Sequence, residues 1–158
     1  MSFTISSKNK RKEENFMKKL TYASLFAGIG GFESGLNALG MKNVFASEID
    51  KFARKAYEAL YGVEPSGDIT KIDSKDIPDH DLLTAGFPCQ AFSVAGKQAG
   101  MAYVCKECQH EQTISFQQYA DREFTCEKCS GKIEAVDGRG LLFFEVARVA
   151  RDKKPKVI

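Results

Sequence analysis

No apolar run in this chain of 158 residues approaches the length of about 18 that a membrane-spanning helix needs. No basic start followed by an apolar core marks a signal peptide. The Gly-Lys-Ser/Thr grip of triphosphate-binding loops is missing, and so is any internal repeat. Strong charge of one sign is absent too, because 23 Lys/Arg oppose 21 Asp/Glu for a net +2. That excludes a uniformly basic nucleic-acid binder. The small excess is uneven: residues 1–19 carry six Lys/Arg against two Glu, and 137–158 sum to +3, whereas 20–101 sum to −3 and 102–136 to −2. A phosphate-binding surface must therefore be local, or lie on sequence outside this chain. What is present is ordinary for a globular domain, 43% hydrophobic and 28% charged, at a length that can bury a core. Four of the five cysteines form two Cys-x-x-Cys pairs. This favours metal binding in a reducing compartment over a disulfide framework, and hence a cytoplasmic protein.

Residues 1–19 read as a polar tail, with Lys8 to Lys12 solvated; Met17-Lys-Lys-Leu-Thr-Tyr22 also resembles a natural start. Leu20 to Phe26 reads as a buried strand. Gly28-Ile-Gly30-Gly31 is a turn that opens a helix, Phe32 to Leu39, with Phe32, Leu36 and Leu39 on one stripe and Gly40 as its stop. Val44 to Ala46 is a second strand, closed by Ser47-Glu48-Ile49-Asp50, and Asp50 caps a helix from Lys51 to Tyr61. Gly67 to Thr70 is a short strand or turn, and Leu82 to Ala85 is a further strand. Gly140 to Lys153 is a helix with Leu142, Val146, Val149 and Ala150 at helical spacing, and Pro155 to Ile158 opens another strand. This alternation predicts an α/β fold, a mostly parallel sheet with helices on both faces.

A glycine turn between strand and helix allows close backbone approach to a ligand and offers helix N–H groups. Glu48 follows Gly28 by twenty residues, where a carboxylate can accept from both hydroxyls of a ribose. Asp68 closes the next unit and could take an adenine amino group. The pattern suits an adenosine-containing cofactor; the alternative is a tight turn with two helix caps. S-adenosylmethionine, which has no phosphate, fits such a turn without a lysine better than a triphosphate does.

Cys89 lies in Ala85-Gly-Phe-Pro-Cys-Gln-Ala-Phe-Ser-Val-Ala-Gly96. A strand that delivers a lone thiol into a loop suits a nucleophile, whereas the common fate of a free cysteine is inert burial.

Leu25-Phe-Ala-Gly-Ile-Gly-Gly31, Glu48-Ile-Asp50, Gly67-Asp-Ile-Thr70, Gly86-Phe-Pro-Cys-Gln-Ala-Phe-Ser93 and Gly138-Arg-Gly-Leu-Leu-Phe-Phe-Glu145 occur in that order. Together they resemble the DNA cytosine-5 methyltransferase family, over residues 20–101 and 137–158. The resemblance implies a Rossmann-like S-adenosylmethionine-dependent methyltransferase fold, truncated, with Cys89 as nucleophile. It implies a cofactor pocket lined by Phe26, Gly28, Gly30, Glu48, Ile49, Asp68 and Leu142, with Pro88 near the methyl donor. It also implies double-stranded DNA as partner, with Gln90, Ser93, Lys97 and Arg139 as candidate contacts. Members continue with a Glu-Asn-Val segment, further catalytic strands and a target-recognition domain. The expectation is thus an N-terminal catalytic portion, inactive alone, from a bacterial or phage enzyme that is monomeric when complete, with a separate C-terminal half as a possible partner. An RNA cytosine methyltransferase is an alternative, as is a non-catalytic binding module on a methyltransferase remnant.

Cys105-x2-Cys108-x17-Cys126-x2-Cys129 has zinc-ribbon spacing. Residues 102–136 are expected to form a small ribbon around structural Zn²⁺, with Tyr103, Phe116, Tyr119 and Phe124 as its core and His110 not a ligand. The ribbon interrupts the loop that in the resembling family runs from Gly96-Lys-Gln98 into Asp137-Gly-Arg-Gly140. It carries six acids against four bases, which weakens the case for phosphate contact.

Overall fold

The computed structural model describes residues 20–87, 102–120, 124–136 and 141–158. They form a mixed α/β chain in two compact units, the first built on residues up to Gly86 together with Ala150–Ile158, the second on Phe87–Val149. The units divide differently from the sequence-based ranges, because residues 141–149 group with the cysteine-rich segment.

In the first unit, β1 (Thr21–Leu25) is the central strand. The helix α1 (Gly31–Ala38) leads to β2 (Lys42–Ser47), and α2 (Lys51–Tyr61) leads by two short 3-10 turns to β3 (Leu82–Ala85). The sheet order is β2-β1-β3, all parallel, with Leu25 opposite Ser47 on one side and Ala85 on the other. Tyr22, Ala23, Leu25 and Leu83 are fully buried, as central parallel strands demand. Parallel order places all three strand ends at one edge. The chain turns outward between β1 and β3, the switch point where such sheets bind ligands.

Local chemistry sets the helix ends. Asp50 accepts from the N–H groups of Phe52 and Ala53, and Gly62 closes α2 in the left-handed region. Of the stripe expected on α1, only Leu36 is partly buried. Phe32 and Leu39 are about half exposed, and the buried position is Glu33. The Tyr57 hydroxyl donates to Glu33 Oε1 at 3.2 Å and offsets part of the cost of burying that carboxylate, whose Oε2 has no partner among the described residues. The segment from Gly67 is a turn: Ser66 bridges Ser47, and Ile69–Lys71 forms a 3-10 helix.

Pro155 to Ile158 provides a parallel bridge from Val157 to Leu82. Asp81 fastens this segment, taking Lys156 Nζ at 2.7 Å and the Thr21 N–H at 2.9 Å. Lys156 foremost, then the Thr21 amide, lowers the Asp81 carboxyl from 3.8 to about 2. A depressed carboxylate stabilises the fold above its unfolded pKa, and that contribution is lost as pH falls toward the folded value. Asp81→Asn should therefore flatten the fall in urea midpoint between pH about 5 and about 2. An unchanged acid slope in the variant would remove Asp81 from that role.

In the second unit, β4 (Ala102–Cys105) pairs antiparallel with β5 (Glu111–Thr113) and β6 (Ile133–Ala135), in the order β5-β4-β6. A short helix, α3 (Phe116–Ala120), follows β5. The first residues of α4 (Leu142–Lys153) complete the core: Phe144 is buried with Tyr103, Cys105, Ile114, Tyr119, Cys126 and Ile133, and Phe124 packs against them. The side chain of Phe116 lies outside the described residues. Glu145 is fully buried on α4, accepting from the Tyr119 hydroxyl and from Arg148 Nε at 2.8 Å. No described helix is long and apolar enough to cross a membrane.

Candidate functional site

At the end of β1 the backbone passes through three left-handed residues, Phe26 (φ 56°), Gly28 (φ 58°) and Gly30 (φ 91°). This winding folds the turn onto itself, with Gly30 N–H donating to Ala27 O at 2.9 Å and Ala27 N–H to Ser47 O at 2.9 Å. The two glycines differ in their surroundings. Among the described residues, a Cβ on Gly28 would meet nothing within 4 Å, so they leave the space over it open. A Cβ on Gly30 would stand 2.1 Å from Tyr61 Cε2. The first position is open to a ligand, and the second is filled by the protein.

Glu48 joins the ends of β1 and β2. Its Oε2 accepts the Gly28 N–H at 2.9 Å and its Oε1 accepts the Asp50 N–H at 2.8 Å. Each carboxylate oxygen has two lone-pair positions, so each retains acceptor capacity. Ile49, 69% exposed, stands beside this carboxylate, and Phe52 is equally exposed at the start of α2. The structure thus places Phe26, Gly28, Gly30, Glu48 and Ile49 at one edge of the parallel sheet.

Asp68 stands one strand further out. Its Oδ1 accepts from Thr70 N–H at 3.0 Å and Thr70 Oγ1 at 2.8 Å, and Lys71 Nζ lies 3.7 Å from Oδ2. In this structure it acts as a cap. Leu142 begins α4 in the second unit. Pro88, Cys89, Gln90, Ser93, Lys97 and Arg139 lie outside the described residues.

Sequence reasoning passed over the groups beneath the turn. Tyr57, Ala27 and Ala46 form a buried cluster with Tyr61 packed against it. The Tyr61 hydroxyl donates to Gly30 O at 2.6 Å, and the Tyr57 and Tyr61 rings lie 4.7 Å apart. Burial, then the charge of Glu33, pushes the Tyr57 hydroxyl up, so it remains a donor. The four-residue spacing of the tyrosines on a helix was the available signal.

The second unit holds a cluster of a different kind. Cys105, Cys108, Cys126 and Cys129 direct their sulfurs within 4.8 Å of one another. Two equivalent turns achieve this. In each, the first cysteine donates its N–H to the carbonyl five residues on (His110, Gly131) and accepts at its own carbonyl from the N–H four residues on (Gln109, Ser130). Gln109 and Ser130 both take positive φ. The first sulfur of each turn accepts the N–H two residues on, from Glu107 and Lys128, at 3.4 Å. The N–H of Cys108, followed by that of Glu107, holds the Cys105 thiol down at about 7. The Gly131 N–H favours the Cys129 thiolate, yet the sulfurs of Cys108 and Cys105 push that thiol up to about 12. His110 is not part of the cluster.

A family model described as C-5 cytosine-specific DNA methylase matches residues 20–105. The chain is 46% identical over 147 residues to the orphan methyltransferase M.SPBetaI of Bacillus phage SPbeta, covering 90% of this chain and 33% of that protein. It is 41% identical over 139 residues to the type II methyltransferase M.HhaI of Haemophilus parahaemolyticus, covering 88% and 32%. The chain therefore spans about a third of the length of these relatives. Among solved structures, the S. pombe Dnmt2 methyltransferase is similar at 29% identity and a TM-score of 0.43, over 51% of this chain and 26% of that one.

Proposed function

Because the chain belongs to the C-5 cytosine-specific DNA methylase family, we propose that it forms the cofactor-binding and nucleophile-bearing part of an S-adenosylmethionine-dependent DNA cytosine-5 methyltransferase. The observation that carries this reading is the Glu48 carboxylate, tied to the Gly28 and Asp50 amides at the ends of two parallel strands. Its remaining lone pairs suit the two ribose hydroxyls of the cofactor. Ile49, exposed beside that carboxylate, and the Gly28 turn would help hold the cofactor. Asp68, which caps the Ile69–Lys71 turn, would be the acceptor for the adenine amino group. Phe26 and Gly30 belong to the same turn as Gly28, and Pro88 and Leu142 are assigned to the cofactor by the family resemblance, which implies a Rossmann-like frame.

S-adenosylmethionine supplies an electrophilic methyl group on a sulfonium. Carbon 5 of cytosine is a poor nucleophile, and Cys89 changes that. Its thiolate would add to carbon 6, the ring would become enamine-like, and carbon 5 would take the methyl group as the S–CH3 bond breaks and the neutral thioether, S-adenosylhomocysteine, leaves. Loss of the carbon 5 proton and β-elimination of the thiolate restore the ring and the enzyme. The target base must leave the duplex to reach the thiol. Gln90, Ser93, Lys97 and Arg139 are assigned to that DNA side. The protein acts in the reducing cytoplasm of a bacterium, in line with the bacterial and phage origin of its relatives.

The four cysteines would hold one structural Zn²⁺, which makes residues 102–136 a zinc-ribbon insertion in this reading. Zinc–sulfur bonds of about 2.3 Å in a tetrahedron require sulfurs about 3.8 Å apart. The 3.5 Å between Cys105 and Cys129 and the 3.7 Å between Cys108 and Cys126 support that assignment.

The test is methyl transfer from labelled S-adenosylmethionine to duplex DNA by the whole gene product. Cys89→Ala should reduce it to background, and Glu48→Ala should raise the KM for the cofactor by about tenfold or more, the effect of losing roughly 1.4 kcal/mol. Transfer that survives Cys89→Ala, or that favours RNA over DNA, would overturn the reading.

A further inference from the structure

We propose that Tyr61 is a positioning residue for the cofactor: with Tyr57 and Glu33 it forms a brace that sets the Gly28–Gly30 turn in its binding shape. The inference rests on the methyltransferase reading of that turn. The brace runs from a buried anchor to the site. Glu33 is fully buried in the first turn of α1, where the helix N-terminus favours a negative charge. It accepts the Tyr57 hydroxyl at 3.2 Å. The Tyr57 ring, 2% exposed, lies against the Tyr61 ring, and the Tyr61 hydroxyl donates to Gly30 O at 2.6 Å. The Tyr61 ring also fills the space where a Gly30 side chain would stand. On the opposite side, Glu48 holds the Gly28 N–H. The turn is thus gripped at two points, by an acceptor on the residue that follows β2 and by a donor from the end of α2.

A turn with three left-handed residues is not a default state of a free chain. Without external restraint it would populate other shapes, and the ligand would have to select the minority. A hydroxyl that fixes Gly30 O from behind removes that cost without touching the ligand. The aromatic core beneath Ala27 and Ala46 would survive its loss, because the Tyr61 ring is retained in a phenylalanine. Stability and cofactor affinity should therefore separate.

Equilibrium binding of S-adenosylmethionine to this chain, compared with Tyr61→Phe, tests this. The expected result is a Kd raised about three- to tenfold, with Tm unchanged within a few degrees and with the Gly28 and Gly30 amide resonances displaced before any ligand is added. Tyr57→Phe, which keeps the Tyr61 hydroxyl but cuts the link to Glu33, should weaken binding about two- to threefold. A lower Tm with unchanged Kd in Tyr61→Phe would make Tyr61 structural and overturn the proposal. If Tyr61→Phe does not fold, Tyr57→Phe decides, and an unchanged Kd overturns it. Failure of the unmutated chain to bind S-adenosylmethionine would instead overturn the cofactor reading, and the brace with it.

Discussion

Chelation of the zinc proposed for the four cysteines should abolish the ordered core of the Phe87–Val149 unit. Of the four proposed zinc ligands, Cys108 and Cys129 are exposed and the other two reach into the core. Cys105 and Cys126 are themselves buried core members, alongside Tyr103, Ile114, Tyr119, Ile133 and Phe144. The three strands are short, and a core of this size rarely stands without a staple. Structural zinc sites contribute apparent binding free energies of about 10–16 kcal/mol, which is folding free energy where no site exists in the unfolded chain. Removing the ion leaves four sulfurs crowded together with no cation to offset them. The consequence reaches Glu145, buried between Tyr119 and Arg148. Loss of Tyr119 leaves a buried carboxylate with less support, a change typically costing 1–3 kcal/mol or more. Metal analysis should find about one zinc per chain. Chelation, or Cys126→Ser, should remove the near-ultraviolet signal of Tyr103 and Tyr119 together with amide protection across β4 and β6. A metal-free chain that retains that protection would show that the side chains alone hold the unit.

Gly30→Ala should destabilise the first unit far more than Gly28→Ala, although both glycines occupy the left-handed region. The backbone cost is shared, at about 1–2 kcal/mol for a residue with a Cβ. Only Gly30 adds collision, because its new methyl would stand 2.1 Å from the Tyr61 ring. Overpacking of this kind costs a further 1–3 kcal/mol or so. The total, about 2–5 kcal/mol, is a large share of a small domain's stability. Gly28→Ala has nothing within 4 Å to strike among the described residues. Its methyl would enter the space assigned to the cofactor, so its main effect should fall on binding. Urea unfolding of both variants checks the first claim, and cofactor titration checks the second. Tyr61→Leu in the Gly30→Ala background should recover part of the loss, because close neighbours couple. Equal destabilisation by the two glycine variants would refute the account.

The elements that were legible in the sequence are those with local causes. Lys51–Tyr61 was readable to the residue, because Asp50 caps it and Gly62 ends it in a conformation that suits glycine. Leu82–Ala85 was readable because a buried parallel strand is a short apolar run between polar turns. The glycine turn and Glu48 were legible from spacing, and the structure adds the hydrogen bond between them. Phe32 and Leu39 misled because an apolar stripe states a preference for burial, whereas Glu33 took the inward position through a partner twenty-four residues away. The same limit explains Tyr119, Glu145 and Arg148. Each is unremarkable in its own segment, and the network exists only where α3 meets α4.

The sequence by itself determined the alternation of strands and helices, the helix caps, the acid that answers the glycine turn and the pairing of cysteines. All of these depend on residues a few positions apart or on motifs with characteristic spacing. Only the tertiary structure decided which side chain stands beneath the glycine turn, which carboxylates are buried, and that residues 141–149 share a core with the cysteine-rich segment. Those outcomes depend on which distant surfaces meet, and burial of a charge is tolerable only where such a meeting supplies its hydrogen-bond partners.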